Sequence, residues 1–493
     1  MGLAQRLQFP CAAMPEEPSR ARLLGIYPHR PEGFFFQRIR LPGGQIRVEQ
    51  WIGLTALAAR HTPDYPLHVT TRQDVELHGV RPEDVGVLQQ GVAELGLSCA
   101  GACGDTVRNV TFCPSNGLRR DTWDVSALAE AIQSRVESIS WITELPRKFK
   151  ISLCGCHESC ARPWINDLGL IANRDGTFRA VVAGSLGSKP GTGVVLEDSI
   201  TVGQILPLVV ALLRLFHAEG DRVRRHRARL RHVRERLGEA AFLDYVGKLF
   251  QEEQANGHDD APRIWRVAED TPLQAHLHLP LGDLECEAAI ELGKAAEEAS
   301  ASLRIGFEHD LLLYGANPLT LGPPLRALSV LAPVVACPGS TWCAKGIVDS
   351  RDAARRMARG LPSRPRLSVA VSGCPNNCSQ AAVASIGLVG RARRVGGRPV
   401  KGFQILAGGG EGRGPGLARE LVPFVAADDV DEAVAWIVEE YRRAVDRDAT
   451  TDFQGFLSKE FRRLADALDR RHGDTAREEL AAASYCREEG QDQ

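Results

Sequence analysis

Two loops in the sequence carry paired cysteines at one spacing. "CGCHESCAR" at 154–162 holds Cys156 and Cys160, and "SGCPNNCSQ" at 372–380 holds Cys374 and Cys378. The later loop is preceded by "ACPGSTWCAKG", which adds Cys337 and Cys343, so the set reads C-x5-C, thirty residues, C-x3-C. Four thiols on two loops suit zinc or an iron–sulfur cluster, the alternative being four buried free cysteines. Zinc pairs prefer about two to four intervening residues, so the longer gap favours iron–sulfur. A helix opening at Pro375 would set its positive end beside the thiolates. The earlier region is rich in cysteines (Cys99, Cys103, Cys113, Cys154, Cys156 and Cys160) but shows no matching C-x5-C, and reads as a relic of the later site, the alternative being a second cluster.

A second group is cationic. Arg72 stands in "TTRQD", Arg108 in "GDTVRNV", and Lys148 and Lys150 in "LPRKFK". The two lysines alternate along an expected strand, which puts both on one face. Four converging cations repel unless an anion joins them, and each contact at about 4 Å is worth roughly 4 kcal/mol before desolvation at an effective dielectric near 20. The alternative is four unrelated surface charges.

The elements that carry these groups occur twice. "FFFQRIRLPGGQIRVEQWIGLTALAAR" (34–60) is answered by "LQAHLHLPLGDLECEAAIELGKAAEEA" (273–299), each reading as strand, turn and helix. "TTRQDVELHGV" (70–80) is answered by "GFEHDLLLYGA" (306–316), which sets Glu308 opposite Arg72. "KFKISLCGCHESC" is answered by "RLSVAVSGCPNNC", and both Cys156/Cys374 and Gly169/Gly387 stand 218 residues apart. Each copy of about 200 residues is a strand–helix–strand module followed by a Cys-bearing α/β module. Between the copies runs "DRVRRHRARLRHVRERLGEAAF" (221–242), read as a solvated or cofactor-facing connecting helix.

Composition bounds the classes. The 493 residues carry a formal net charge of −2, with 44% hydrophobic and 25% charged residues, an ordinary globular balance that argues against a nucleic-acid partner. No apolar run reaches the roughly 18 residues of a membrane span, and the first twenty residues lack a secretory leader, so a cytoplasmic location is expected. Thirteen cysteines there favour metal ligation over disulfides.

C-x5-C followed by C-x3-C, with "TTRQ", "GDTVRN" and "LPRKFK" upstream, resembles the sirohaem-containing sulfite and nitrite reductases over about residues 20–445. The resemblance implies an α+β, internally duplicated fold in which two ferredoxin-like half-domains (1–104 and 258–328) form one domain. Two α/β domains (105–257, with the connecting helix, and 329–450) serve sirohaem and a [4Fe–4S] cluster, and 451–493 is a helical tail. It further implies that Cys337, Cys343, Cys374 and Cys378 hold the cluster, with Cys378 bridging to the sirohaem iron. Arg72, Arg108, Lys148 and Lys150 match the positions that bind the substrate anion. The glycine-rich "AGGGEGRGPG" (407–416) then reads as a tetrapyrrole-side loop, having no Gly-Lys-Ser ending.

In that family nitrite reductases tend to carry Asn where this chain has Lys150, so the expected reaction is the six-electron reduction of sulfite to sulfide. No flavin or pyridine-nucleotide module is recognisable, which points to an external donor such as ferredoxin. Cys103 resembles a cysteine that some sulfite-type members join to a tyrosine, but the matching position holds Phe34 or Phe35. The alternatives are ferredoxin-dependent reduction of nitrite to ammonia, an oxygenase like precorrin-3B synthase, and a non-catalytic iron–sulfur electron carrier.

Overall fold

The computed structural model describes residues 17–30, 32–257, 262–362, 367–395 and 398–472. The amino-terminal residues 1–16, on which the absence of a leader was expected, lie outside the described residues, as do residues 473–493 of the tail. Contacts divide the chain into two units. One runs to Val330 and takes in Gly412–Pro415, and the other starts at Leu331 and comprises the rest.

In the first unit the period-two run Phe35–Ile39 forms a strand that ends in a tight turn. Gly43 and Gly44 adopt φ 57° and 67°, the left-handed region where an L side chain is strained. A Cβ on Gly43 would also strike the Phe112 ring at 2.0 Å. The second copy repeats the turn with Leu281 at φ 59° and Gly282 at 84°. Each turn leads into a two-residue strand, Gln45–Ile46 or Asp283–Leu284, and then a helix, Val48–His61 or Cys286–Glu298.

Those short strands are exchanged between copies. One sheet runs Ile26–Pro28, Phe35–Ile39, Val75–Val80, Leu67–Val69 and finally Asp283–Leu284 from the second copy. The other runs Leu273–His278, Asp310–Tyr314, Ser302–Ile305 and finally Gln45–Ile46 from the first. All these pairings are antiparallel. The two helices pack on one another, and the fully buried Trp51 donates Nε1–H to Ala289 O at 2.8 Å.

The Cys-bearing modules share one topology. In the first unit the order is Thr111–Phe112, Ile151–Cys154, Leu168–Ala172, Phe178–Val182, Val194–Ile200, three parallel strands and then two antiparallel. In the second unit Val334–Ala336, Val369–Ser372, Ile386–Val395, Arg398–Ala407 and Arg419–Ala426 repeat that order and those directions. The central parallel strands are buried throughout, which is why they read as unbroken apolar runs.

The loop after the second strand is also duplicated in backbone detail. Ser159 and Arg162 both have φ 57°, and Asn377 and Gln380, 218 residues later, have 57° and 67°. A single 3₁₀ turn follows each, Pro163–Ile165 and Ala381–Val383, and packs onto the next glycine. A Cβ would lie 2.4 Å from Pro163 O at Gly169 and 1.9 Å from Ala381 O at Gly387. Gly387→Ala is therefore expected to push the loop off its strand and destabilise the protein by about 1–3 kcal/mol. Thermal unfolding reads the effect, and an unchanged midpoint would show that the loop yields freely.

One expectation from composition is corrected. Val202–Glu219 is an 18-residue helix with mean hydropathy 1.4, long and apolar enough by composition to cross a membrane. Residues from Ile205 to Leu213 are all buried inside the first unit, where the helix packs against Ser126–Ser138 and Glu239–Ala255. Arg214 and His217 dilute the carboxyl end of the run, so no unbroken apolar stretch of that length shows in the sequence. The connecting segment is also not one helix: Gly238, at φ 84°, separates Leu230–Leu237 from Glu239–Ala255.

Candidate functional site

The first unit brings the four expected cations onto adjoining backbone segments. Gln73, fully buried at φ 62°, fixes the loop that carries Arg72. Its Nε2 donates to Phe112 O at 2.9 Å and its Oε1 accepts from Phe112 N at 3.1 Å. Arg72 donates Nη1–H to Asn166 Oδ1 at 2.9 Å and Nη2–H to Asn109 O at 2.8 Å. Asn109 in turn donates Nδ2–H to Arg72 O at 3.1 Å. The preceding residue, Arg108, donates its backbone N–H to Phe149 O at 2.8 Å, and Phe149 N–H reaches Thr106 O at 3.0 Å. Phe149 is buried in the core, so Lys148 and Lys150 on either side of it, both half-buried, leave the backbone on the other face.

Burial and mutual repulsion depress the cations of this cluster, an arrangement that suits an anion. Burial lowers the Arg72 guanidinium to about 10; Asp74 opposes the shift, while Arg108 and Arg229 add to it. Burial also lowers Arg108. Arg72 Nε is buried with no hydrogen-bond partner among the described residues, a donor that an oxyanion can satisfy.

Three supporting residues were not found from the sequence. The fully buried Asp167 accepts from Lys150 N at 2.8 Å and from Arg229 Nη2 at 2.6 Å, tying the lysine strand to the connecting segment. Arg229 and Arg231 are accordingly buried inside the unit, and neither is part of a solvated face. Arg38 donates Nε–H to Glu76 at 2.7 Å and shares the Ala102 carbonyl with Arg108, at 3.4 and 2.7 Å respectively, making a fifth cation. Only its alternation along "FFFQRIR" signalled it.

The four expected cluster cysteines lie together in the second unit, described apart from the first. Cys337 follows the strand Val334–Ala336, Cys343 follows the short helix Gly339–Trp342, and Cys374 and Cys378 occupy the loop after Val369–Ser372. Cys337 Sγ accepts from Gly373 N at 3.1 Å. Burial, then the neighbouring Cys378, push the Cys337 thiol up to about 12. Cys374 is raised by burial, then by Cys378 and, more weakly, Cys343. Thiols of which Cys337 and Cys374 resist ionising beside their neighbours are a donor set stabilised by a positive metal centre, so these residues fit the cluster.

No helix opens at Pro375. Residues 374–380 form turns, closed by Asn377 N to Cys374 O at 3.3 Å and Gln380 N to Asn377 O at 3.2 Å. The left-handed Asn377 and Gln380 break any helical run there. Single amides such as Gly373 N take the place of a helix end.

The model of the nitrite and sulphite reductase 4Fe-4S domain matches residues 103–254 and 329–480, and that of the nitrite/sulfite reductase ferredoxin-like half domain matches residues 27–95. The assimilatory ferredoxin-dependent nitrite reductase of Haloferax mediterranei is 28% identical, with 90% of this chain and 85% of that protein aligned. The ferredoxin–nitrite reductase of Synechococcus elongatus is also 28% identical, over 85% of this chain and 89% of that one. Among solved structures, the Mycobacterium tuberculosis NirA protein shares the fold with a TM-score of 0.77 at 22% identity, covering 89% of each chain.

These relatives overturn the expectation of sulfite as substrate, since those named for an anion are named for nitrite. The physical reason is that Lys150 is one charge among at least five. An added cation attracts either anion and does not by itself rank them.

Proposed function

The chain belongs to the nitrite and sulphite reductase family, and from that premise we propose that it is an oxidoreductase reducing nitrite to ammonia with electrons from a ferredoxin. Six electrons and seven protons convert nitrite to ammonia and two waters. Sirohaem and a [4Fe–4S] cluster are the family's cofactors, and they supply the redox chemistry when bound. In this reading Cys337, Cys343, Cys374 and Cys378, in the domain 329–450, hold the cluster. The domain 105–257 and the half-domain 1–104 contribute Arg108, Lys148, Lys150 and Arg72 to the anion, with 258–328 completing the shared half-domain pair.

The observation that carries the anion site is the buried, unpartnered Nε of Arg72 among cations that depress one another. Arg72 and Arg108 neutralise the oxyanion and orient it. Asn109 and Asn166 hold the Arg72 fork so that little order is lost on binding. Lys148 and Lys150 are ammonium donors whose protons reach the oxygens as they leave as water.

Reduced-viologen oxidation tests the substrate. The expected kcat/KM is at least about tenfold higher for nitrite than for sulfite, as the nitrite reductases aligned over most of this chain lead one to expect. Lys150→Asn keeps a hydrogen-bond donor but removes a charge and a proton source, so turnover of both anions should fall while the preference for nitrite remains. A parent enzyme that prefers sulfite would overturn the proposal.

A further inference from the structure

The duplication assigns each cysteine of the later site a counterpart in the earlier copy. Cys113 follows Thr111–Phe112 and Cys337 follows the topologically matching Val334–Ala336, and each is followed by a proline. Six residues on, Cys343 is matched by Arg119, while Cys374 and Cys378 are matched by Cys156 and Cys160. The earlier copy thus keeps three of the four thiols and has a guanidinium in the fourth place. Arg119 is ion-paired to Glu158, between Cys156 and Cys160, so charge bridges the same two loops.

The remaining thiols have closed on each other. Cys113 and Cys160 interact as hydrogen-bonding neighbours, whereas for Cys337 the effect of Cys378 is one of charge. The Arg119–Glu158 ion pair ties the two loops together and so sets these thiols beside one another, where a sulfur–sulfur bond can form. Both are half-buried, and a cavity of about 480 Å³ opens on Cys156 and Ser159 of the same loop. Arg174, Arg179, Arg266 and Arg413 line it with Asp121, and although Asp121 pairs with Arg266 and Asp198 with Arg179, the mouth keeps a net positive charge for an anionic reagent.

We propose that Cys113 and Cys160 are an oxidisable dithiol, which closes to a disulfide by exchange with small anionic disulfides such as oxidised glutathione. Cys160 attacks one sulfur of the reagent and releases one glutathione thiolate, which takes up a proton from water. Cys113 then loses its proton to water and attacks Cys160 Sγ, releasing the second glutathione thiolate, which is protonated in turn. Two protein thiols are oxidised and one glutathione disulfide is reduced, so electrons and protons balance. The order of attack follows from acidity. The bond from Cys113, helped by Arg413 and Arg119, brings Cys160 down to about 7, while Cys113 is pushed well up.

The test uses the cofactor-loaded full-length protein treated with oxidised glutathione, digested with trypsin without reduction and mapped by mass spectrometry. The expected product joins the peptide 109–119 to the peptide 151–174 through Cys113 and Cys160, two hydrogens lighter than the pair, and is lost on adding dithiothreitol. Cys113→Ser should leave a stable glutathione adduct on Cys160 in its place. Treated parent protein with no cross-link, or with Cys160 joined to Cys156 or Cys154, overturns the proposal.

Discussion

Replacing Cys378 by serine is expected to strip most of the iron and acid-labile sulfide from the protein and to lower nitrite reduction by about a hundredfold or more, while Cys160→Ser keeps both. Even a residue that only hydrogen-bonds to a metal ligand costs about 10- to 100-fold when removed, and a direct ligand should cost at least that. Cys378 is exposed, so its loss opens no cavity and the fold should survive. Circular dichroism checks that point, and colorimetric iron and sulfide assays read the main result. Equal loss of iron from both variants would mean that the early loop also holds metal, against the assignment of one cluster to Cys337, Cys343, Cys374 and Cys378.

Arg72→Ala carries the second large effect. A hydrogen bond to a charged group contributes about 1.5–3 kcal/mol, so losing the Nε contact and the charge should lower kcat/KM for nitrite by roughly 10- to 100-fold. Arg72 also clamps Asn109 and Asn166, so part of the loss could come from a loosened loop. Arg72→Lys separates the two contributions. It retains the charge but lacks the fork, and should recover some anion affinity without restoring the full rate. The visible absorption of bound cofactors should be unchanged in both. Activity within about twofold of the parent, with cofactors retained, would make Arg72 a structural arginine.

Much of the architecture was legible because duplication doubles every local signal. The shared offset of Gly169 and Gly387 marks a steric requirement, glycine against a carbonyl, that no other residue meets. The parallel strands announced themselves as apolar runs. What stayed hidden depended on distance in sequence or on backbone conformation. The Asp167–Arg229 pair spans 62 residues and follows no periodic pattern. The match of Cys113 to Cys337 was obscured because the segment from first to second strand differs in length between copies, so the 218-residue register fails there. The helix expected at Pro375 was argued from a proline alone, and the left-handed residues after it were unreadable. The substrate is not legible in Lys150 for a simpler reason: one lysine does not decide between two anions that both seek positive charge.

The exchanged strands also constrain the order in which the chain can be completed. Leu67–Val69 gains its outer neighbour only when Asp283–Leu284 arrives, and His68 and Asp283 are 215 residues apart. At usual elongation rates that interval lasts roughly 10 to 40 s. Throughout it the nascent first sheet presents a bare edge, with unpaired amides and carbonyls able to recruit another chain. Ribosome-bound chains that stop before residue 283 should therefore be protease-sensitive around residues 67–69 and captured by chaperones, and chains released past residue 284 should not. The strand that joins the halves also closes that edge of the first sheet.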